Sequence, residues 1–275
     1  MLQEEVHMNI RVFCNGIHLQ EEAAELVHAY SADPNTYKEV KDCFYNDYEA
    51  FTRMIAGQKD AAAWFLYYFV HFSCEAHEEY VKRGLSDQLY WDTFSDLTIW
   101  CENCRRDYGV TGLMEYDWLW RHVKLRLFRL GRLQFELYNA PHGIEVPGIS
   151  IAAGEMLLNV HIPQGSPADP AACEEAFRLA RAMFPEYHYF HCESWMLYPG
   201  LAAVMKETAN TILFQKRFLI YETEEEERDA EKRIFQKVMD NPEDYPADTP
   251  FRQRVRTWLI QGHKLGNASG IFYME

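Results

Sequence analysis

The alternation of apolar and polar side chains predicts a β-hairpin over residues 121–138. A three-residue loop over residues 130–132 keeps the apolar faces of both strands together, whereas a two-residue loop at 130–131 would place apolar residues opposite polar ones. Gly131 suits the left-handed conformation that such a loop requires. The same register places Arg126 opposite Glu136, where the two charges can pair across the strands. The apolar positions are Val123, Leu125 and Leu127 in the first strand, and Leu133, Phe135 and Leu137 in the second.

Helical spacing of apolar residues dominates the part of the chain before the hairpin. Aromatic residues, Leu97 and two cysteines recur at intervals of three and four from Tyr90 to Tyr108, with Ser86 as the N-cap and Gly109 as the end of the helix. A long helix is also predicted over residues 60–83, and further helices near 20–30 and 36–56. We therefore predict a helical N-terminal domain over residues 1–120.

After the hairpin, segments typical of strands alternate with segments typical of helices. This order predicts a second domain over residues 121–275, in which helices flank a mixed β-sheet, so the fold class is α/β (α+β). The predicted strands are 156–162, 187–195, 211–221 and an edge strand at 270–275. The predicted helices are 170–184, a short helix from Pro199, 223–239 and 250–262.

Charge and composition narrow the classes of partner and compartment. The chain has a net charge of −15, and most of the excess acid lies in residues 1–120, which disfavours nucleic acid and anionic membranes as partners. No run approaches the roughly 20 apolar residues of a membrane-spanning helix. The first five residues lack the basic start of a signal peptide, and seven cysteines without disulfide-like spacing favour a reducing compartment, so we expect a cytoplasmic protein.

Four short phrases of the second half resemble a bacterial family of acyltransferases. Its members join a helical N-acyltransferase-type N-terminal domain to a C-terminal domain like the GNAT superfamily of N-acetyltransferases. The resemblance covers nearly the whole chain, and its phrases are specific as a set. They are LGRLQFE (130–136), NVHIP (159–163), CESW (192–195) with Pro199, and NTILF (210–214) with Arg217 and Phe218.

The resemblance implies a donor, an acceptor and a reaction. Residues 156–162 and 187–195 would be the fourth and fifth strands of a GNAT sheet, which splay apart around the pantetheine arm of acyl-CoA. The pyrophosphate would lie on N–H groups of the loop entering the next helix. An amine of a small-molecule acceptor would attack the thioester directly, with acyl-CoA as co-substrate and no metal. The residues expected at the donor are Val160, Ile162, Gln164, Gly165 and Ser166.

Three polar residues are the catalytic candidates. His161 and Glu193 lie at the ends of the two central strands, and either is a candidate for the base that takes the amine proton. Tyr198 follows in the next short helix and is the candidate acid for the leaving thiolate. The alternative is structural: His161 and Glu193 would be hydrogen-bonded within a buried sheet, and the ring of Tyr198 would pack.

The cysteines offer weaker candidates. Cys192 has no sequence feature that would activate it as a nucleophile, and buried cysteine is usually a small apolar residue. Cys101 and Cys104 could form a zinc site with His71 and His77, but both cysteines lie on an apolar helical stripe, which favours a place in the core.

The loop between Ile162 and Pro170 departs from the superfamily pattern and keeps a second function open. It has one glycine, and its prolines remove N–H donors where a phosphate would be bound. Asp169, Glu174 and Glu175 add negative charge at the same place. The alternative to an enzyme is therefore a catalytically degenerate GNAT-like protein that binds a ligand or partner. An open crevice between the two central strands, with free N–H groups at this loop, would favour the enzyme. A filled crevice with Asp169 capping its own helix would favour the alternative.

Overall fold

The computed structural model describes residues 8–275. The chain divides into two compact units, one up to Arg129 and one over Leu130–Glu275. The boundary predicted at residue 120 falls inside a helix of the first unit. The prediction about a signal peptide rests on residues 1–5, which lie outside the described part of the chain.

The first unit is helical, and its longest helix lies at its centre. Residues 61–82 form that helix, in which apolar and aromatic residues such as Phe65, Phe69 and Phe72 are fully buried. Burial on several sides is typical of a helix surrounded by other helices. The helices are α1 (Ile10–Gly16), α2 (Glu21–Ala29), α3 (Pro34–Asn46), α4 (Tyr48–Ala56), α5 (Ala61–Lys82), α6 (Asp87–Phe94), α7 (Asp96–Tyr108) and α8 (Tyr116–Val123).

Two of the predicted helices are each interrupted by one polar residue. Asp47 separates α3 from α4, because its non-helical backbone, with φ −146° and ψ 81°, lets its carboxylate accept the N–H of Ala50 at 3.0 Å. Ser95 separates α6 from α7, and its hydroxyl donates to the carbonyl of Asp92 at 2.7 Å. The apolar spacing continues across both breaks, so the spacing alone does not reveal them.

The chain from Leu127 onwards is built on one mixed sheet with helices beside it. Its strand order is β1-β2-β5-β6-β8-β7, and β3 and β4 form a separate two-stranded ribbon. The strands are β1 (Leu127–Leu130), β2 (Leu133–Asn139), β3 (Ile144–Val146), β4 (Ile149–Ile151), β5 (Met156–His161), β6 (Tyr189–Ser194), β7 (Leu219–Glu224) and β8 (Asn267–Tyr273). The helices are α9 (Pro170–Met183), α10 (Asn210–Gln215), α11 (Asp229–Phe235) and α12 (Pro250–Ile260), with short 3₁₀ turns at 195–197, 199–203 and 242–244.

One face of the sheet forms an aromatic core under α9. The ring of Phe177 on α9 lies 5.7 Å from Phe135, 5.2 Å from Phe190 and 5.1 Å from Phe272, all in near-perpendicular contact. Because side chains alternate along a strand, the residues between these phenylalanines point to the opposite face. That second face carries the polar residues of the candidate site.

The predicted fold class is confirmed, while several local predictions are wrong. The first strand of the hairpin begins at Leu127, because Val123 ends α8 and Leu125 has a left-handed backbone. The turn of the hairpin consists of Gly131 and Arg132, and Gly131 has a φ of 63°. Residues 210–215 are helix α10 rather than strand. Helix α11 begins at Asp229, because Thr223 and Glu224 pair with β8. The last strand, β8, lies inside the sheet between β6 and β7 rather than at its edge.

Candidate active site

The two central strands of the sheet separate after a very short parallel pairing. Leu158 pairs with Phe190 and Asn159 with His191, and the ladder ends there although β5 continues to His161 and β6 to Ser194. Beyond these pairs the strand backbones are not joined to each other. An extended ligand arm can therefore hydrogen-bond to strand backbone at this point, as peptides do when they add to a sheet edge.

Polar side chains gather on the face of the sheet opposite α9. Glu136 stands opposite Asn159, Asn159 opposite His191, and Glu193 opposite Ser269, so these residues share one face. Glu136, Asn159 and His191 are all buried. Buried polar groups need partners, and these residues find them in one another.

His161 forms a pair with a carboxylate that the sequence did not suggest for it. Its Nε2 lies 2.8 Å from an oxygen of Glu136, and the amide nitrogen of Asn159 lies 3.2 Å from the same atom. The shorter contact, to a charged acceptor, is the stronger one, so we assign the Nε2 proton to the bond with Glu136. The carboxylate thus orients the ring and can stabilise its protonated form.

His191 forms a second hydrogen-bonded group in the centre of the same face. Its Nδ1 lies 2.9 Å from Oδ1 of Asn159, and its Nε2 lies 2.9 Å from the hydroxyl of Tyr221. An amide oxygen only accepts, so Nδ1–H donates to Asn159, and Nε2 accepts from Tyr221. Tyr138 stacks on the imidazole at 5.3 Å.

The environment keeps both members of the His191–Tyr221 pair neutral. Burial, and then the neighbouring His161 and His142, lowers the pKa of His191 to about 4. Burial is the main cause that raises the pKa of the Tyr221 hydroxyl to about 12. At neutral pH the imidazole therefore offers a lone pair to a hydroxyl that keeps its proton.

Glu193 is exposed and lies among other acidic residues. Although the residue is exposed, partial desolvation of its carboxyl by the surrounding protein, and then repulsion from Glu224, Glu222, Glu227 and Asp229, raises its pKa. Within the described residues, the carboxylate of Glu193 has no hydrogen-bond or ion-pair partner, and nothing joins it to His161. The structure thus places the two candidate bases on one face without direct contact.

Tyr198 lies apart from the two histidines. Burial, and then the nearby charge of Glu225, raises the pKa of its hydroxyl. No hydrogen bond between Tyr198 and His161 or His191 is present among the described residues.

The loop before α9 is exposed, but the first turn of the helix is closed to an anion. Gln164, Gly165 and Ser166 are exposed, Ile162 is half-buried, and Val160 is buried in β5. Asp169 accepts from the N–H groups of Ala171 and Ala172 at 3.1 and 3.0 Å. Asp169 therefore caps its own helix, which is the geometry that favours the non-catalytic alternative.

The cysteine candidates are all placed in the core. Cys192 is completely buried, and burial raises the pKa of its thiol. Cys101 and Cys104 are buried on α7. In residues 8–275, no group of three or more His, Cys, Asp and Glu side chains is arranged to hold a metal ion.

The site residues that sequence reasoning missed are Glu136, Asn159, His191 and Tyr221. A signal existed for His191, since it lies two residues before Glu193 and therefore shares its face of the strand. No such signal existed for Tyr221, because a register shift between Ile220 and Glu222 decides where it points.

Comparisons with known proteins come from family models and from solved structures. The model of the N-acyltransferase N-terminal domain matches residues 8–125, and that of the GNAT-like C-terminal domain matches residues 127–272. A comparison with curated proteins gives no match. None of the described helices is long and apolar enough to cross a membrane.

Crystal structures of acyltransferases share the fold at low sequence identity. One in complex with decanoyl-CoA and teicoplanin, and one in complex with CoA and 10C-teicoplanin, are each 22% identical over 97% of this chain and 88% of theirs, with TM-scores of 0.76 and 0.75. Another, in complex with decanoyl-CoA, is 20% identical over 99% of this chain and 91% of its own, with a TM-score of 0.76. The resemblance drawn from the sequence is thus confirmed for both domains. The chain belongs to the family with a GNAT-like C-terminal domain, preceded by an N-acyltransferase N-terminal domain.

Proposed function

We propose that this protein transfers an acyl group from acyl-CoA to the amine of a small molecule by direct attack. The observation that carries the proposal is the separation of β5 and β6 beside a polar face that holds His161 and His191. The acyl-CoA and CoA complexes of the structurally similar acyltransferases support the choice of donor.

The donor would lie in the gap between the two central strands. Backbone groups of Val160 and Ile162 would bind the pantetheine arm, and Gln164, Gly165 and Ser166 would lie along the remainder of the donor. Gly165 has a positive φ of 123° and open space around it, so the loop can approach a ligand closely at this point.

The acceptor would lose a proton as it attacks the thioester. A C–N bond forms and the C–S bond breaks, while His161 takes the amine proton and Glu136 stabilises the resulting imidazolium. Glu193 and its acidic neighbours would attract the acceptor as an ammonium ion, which releases one proton to solvent, and the resulting neutral amine then attacks. Tyr198 would return a proton to the leaving thiolate. The teicoplanin complex of one relative supports a small-molecule acceptor.

A thiol-release assay with a panel of acyl-CoAs and amines, including amino sugars and a glycopeptide, tests this reaction. His161→Ala should lower kcat by about 100-fold or more, because general-base catalysis typically contributes that much. Its affinity for acyl-CoA should stay within about threefold, since the imidazole pairs with Glu136 rather than lying in the strand gap. Glu193→Gln and Tyr198→Phe test the other two roles in the same assay.

The matched control is His263→Ala, which removes an exposed histidine that stacks on Trp258. It should leave kcat unchanged. Full activity in His161→Ala, Glu193→Gln and Tyr198→Phe would remove the site assignment. If no donor and acceptor pair releases thiol, the second candidate, a GNAT-like binding protein, is favoured, for which the self-capped α9 is the supporting observation.

A further inference from the structure

We infer that the donor is held by its acyl and pantetheine parts, that the nucleotide phosphates add little, and that acyl-pantetheine thioesters without the nucleotide are donors as well. This inference rests on the proposed function and narrows its donor class. It follows from the hydrogen-bond partners of the backbone N–H groups at the start of α9.

The first turn of a helix has four N–H groups without a partner inside the helix, and these groups bind phosphate in many proteins. In α9 none of the four is available. The N–H of Asp169 donates to the carbonyl of Pro167 at 2.8 Å, Pro170 has no N–H, and Ala171 and Ala172 donate to Oδ1 of Asp169 at 3.1 and 3.0 Å. A phosphate here would have to displace a side chain of the protein.

The charge at this place also disfavours an anion. The carboxylate of Asp169 occupies the positive end of the helix dipole and offsets it. The basic residues nearby already have contacts: Arg217 pairs with Glu174, Arg178 pairs with Glu175 at 2.6 Å, and Nε of Arg132 donates to the carbonyl of Pro167 at 3.0 Å. An anionic nucleotide would add negative charge to a region in which the basic residues already have contacts within the protein.

The gap between β5 and β6, in contrast, offers backbone groups to a ligand. Beyond Asn159 and His191 the strand backbones are not joined, and the pantetheine arm carries the amide groups that can bind there. Amide-to-backbone hydrogen bonds need no charge. The part of the donor shared by acyl-CoA and acyl-pantetheine therefore has a site, whereas the part that differs meets a first turn of α9 that is closed to it.

Isothermal titration calorimetry with two non-hydrolysable probes, S-octyl-CoA and S-octyl-pantetheine, tests the inference on the full chain. We expect the two dissociation constants to agree within tenfold. A preference for S-octyl-CoA greater than tenfold would overturn the inference while leaving the proposed function intact. Binding of neither probe would instead remove the proposed function, and this inference with it.

The variant Asp169→Gly provides a second test, since glycine is itself an acceptable N-cap residue and the change frees two N–H groups. It should bind S-octyl-CoA at least threefold more tightly and S-octyl-pantetheine unchanged. Asp169→Asn, which keeps the cap and removes the charge, should give a smaller gain. A loss of affinity for S-octyl-CoA alone in Asp169→Gly would show that the self-capped turn binds the phosphates, and would overturn the inference.

Discussion

The charge of His191 is decided by its surroundings rather than by its residue type. The side chain is buried, so the imidazolium form would lose its hydration, and the two nearby histidines would repel it. Its Nε2 lone pair is therefore available at neutral pH, where an exposed histidine is partly protonated. The sequence places His191 on a strand, but only the packing of the strand determines its protonation.

The stability of the protein should depend on pH through His191. Its pKa is lowered from 6.5 to about 4 in the fold, so between these values the unfolded chain binds more protons than the native one. The free energy of unfolding should thus rise with pH through this window, and about 3 kcal/mol should be lost as the pH falls from 6.5 to 4. Urea unfolding at a series of pH values from 4 to 7 measures this loss.

His191→Gln should lack this part of the pH dependence, whereas the control His263→Gln, at an exposed position, should keep it. Carboxyl groups that titrate in the same window act equally in all three proteins and cancel in the comparison. An identical slope in His191→Gln and the natural chain would show that the fold does not lower the pKa of His191.

Helix and strand ends are set by polar side chains and by distant partners. Asp47 and Ser95 interrupt helices whose apolar spacing continues across the break. Thr223 and the following glutamates have the pattern of a helix N-terminus, yet β7 continues to Glu224 because Asn267 pairs with it across the sheet. The periodicity of the sequence therefore predicts which elements exist, and tertiary contacts determine where they end.

Two glycines between α7 and α8 allow the cost of backbone strain to be distinguished from that of steric exclusion. Both have positive φ, 70° at Gly109 and 153° at Gly112. A Cβ on Gly109 would meet nothing within 4 Å, whereas one on Gly112 would lie 2.5 Å from backbone atoms of Ala62. Gly109→Ala should therefore lower the free energy of unfolding by about 1 kcal/mol, and Gly112→Ala by about 3 kcal/mol, because the backbone must move.

Denaturant unfolding of the two variants measures this difference. Equal losses would mean that the contact between Gly112 and Ala62 relaxes without cost, and that conformational strain alone explains both effects.

At the scale of the whole molecule, the change from helical to strand spacing near residue 120 indicates the architecture. The helical first unit and the mixed sheet of the second could be predicted in this way. The candidate site could be predicted only in part: His161 and Glu193 follow from their places at strand ends, whereas Glu136 and Tyr221 join the site through strand pairing and a register shift. Neither pairing nor a bulge can be inferred from one strand alone.

The thiols of the whole chain should differ sharply in reactivity. Six of the seven cysteines are buried and Cys43 is half-buried. Burial raises the pKa of Cys14 and Cys104 to about 11 and that of Cys74 to about 12, which lowers the fraction of reactive thiolate further. Iodoacetamide should therefore modify Cys43 first in the native protein, and all seven thiols in denaturant.

Peptide mass spectrometry after short labelling measures this order, and Cys43→Ser should abolish the rapid adduct. Labelling of Cys192 as fast as Cys43 would show that the sheet opens readily around it, contrary to its complete burial.

The position of β8 has a consequence for how the nascent chain folds. β7 pairs with β8 alone, and β8 also supplies one of the two neighbours of β6, although it follows both along the chain. Until residues 267–273 have been synthesised, β6 exposes an unpaired edge and residues 219–224 have no strand to join. Such long-range closure is slow, and an exposed edge invites pairing with other chains. The folding intermediate most prone to aggregation should therefore be the one in which β8 has not yet paired with β6 and β7.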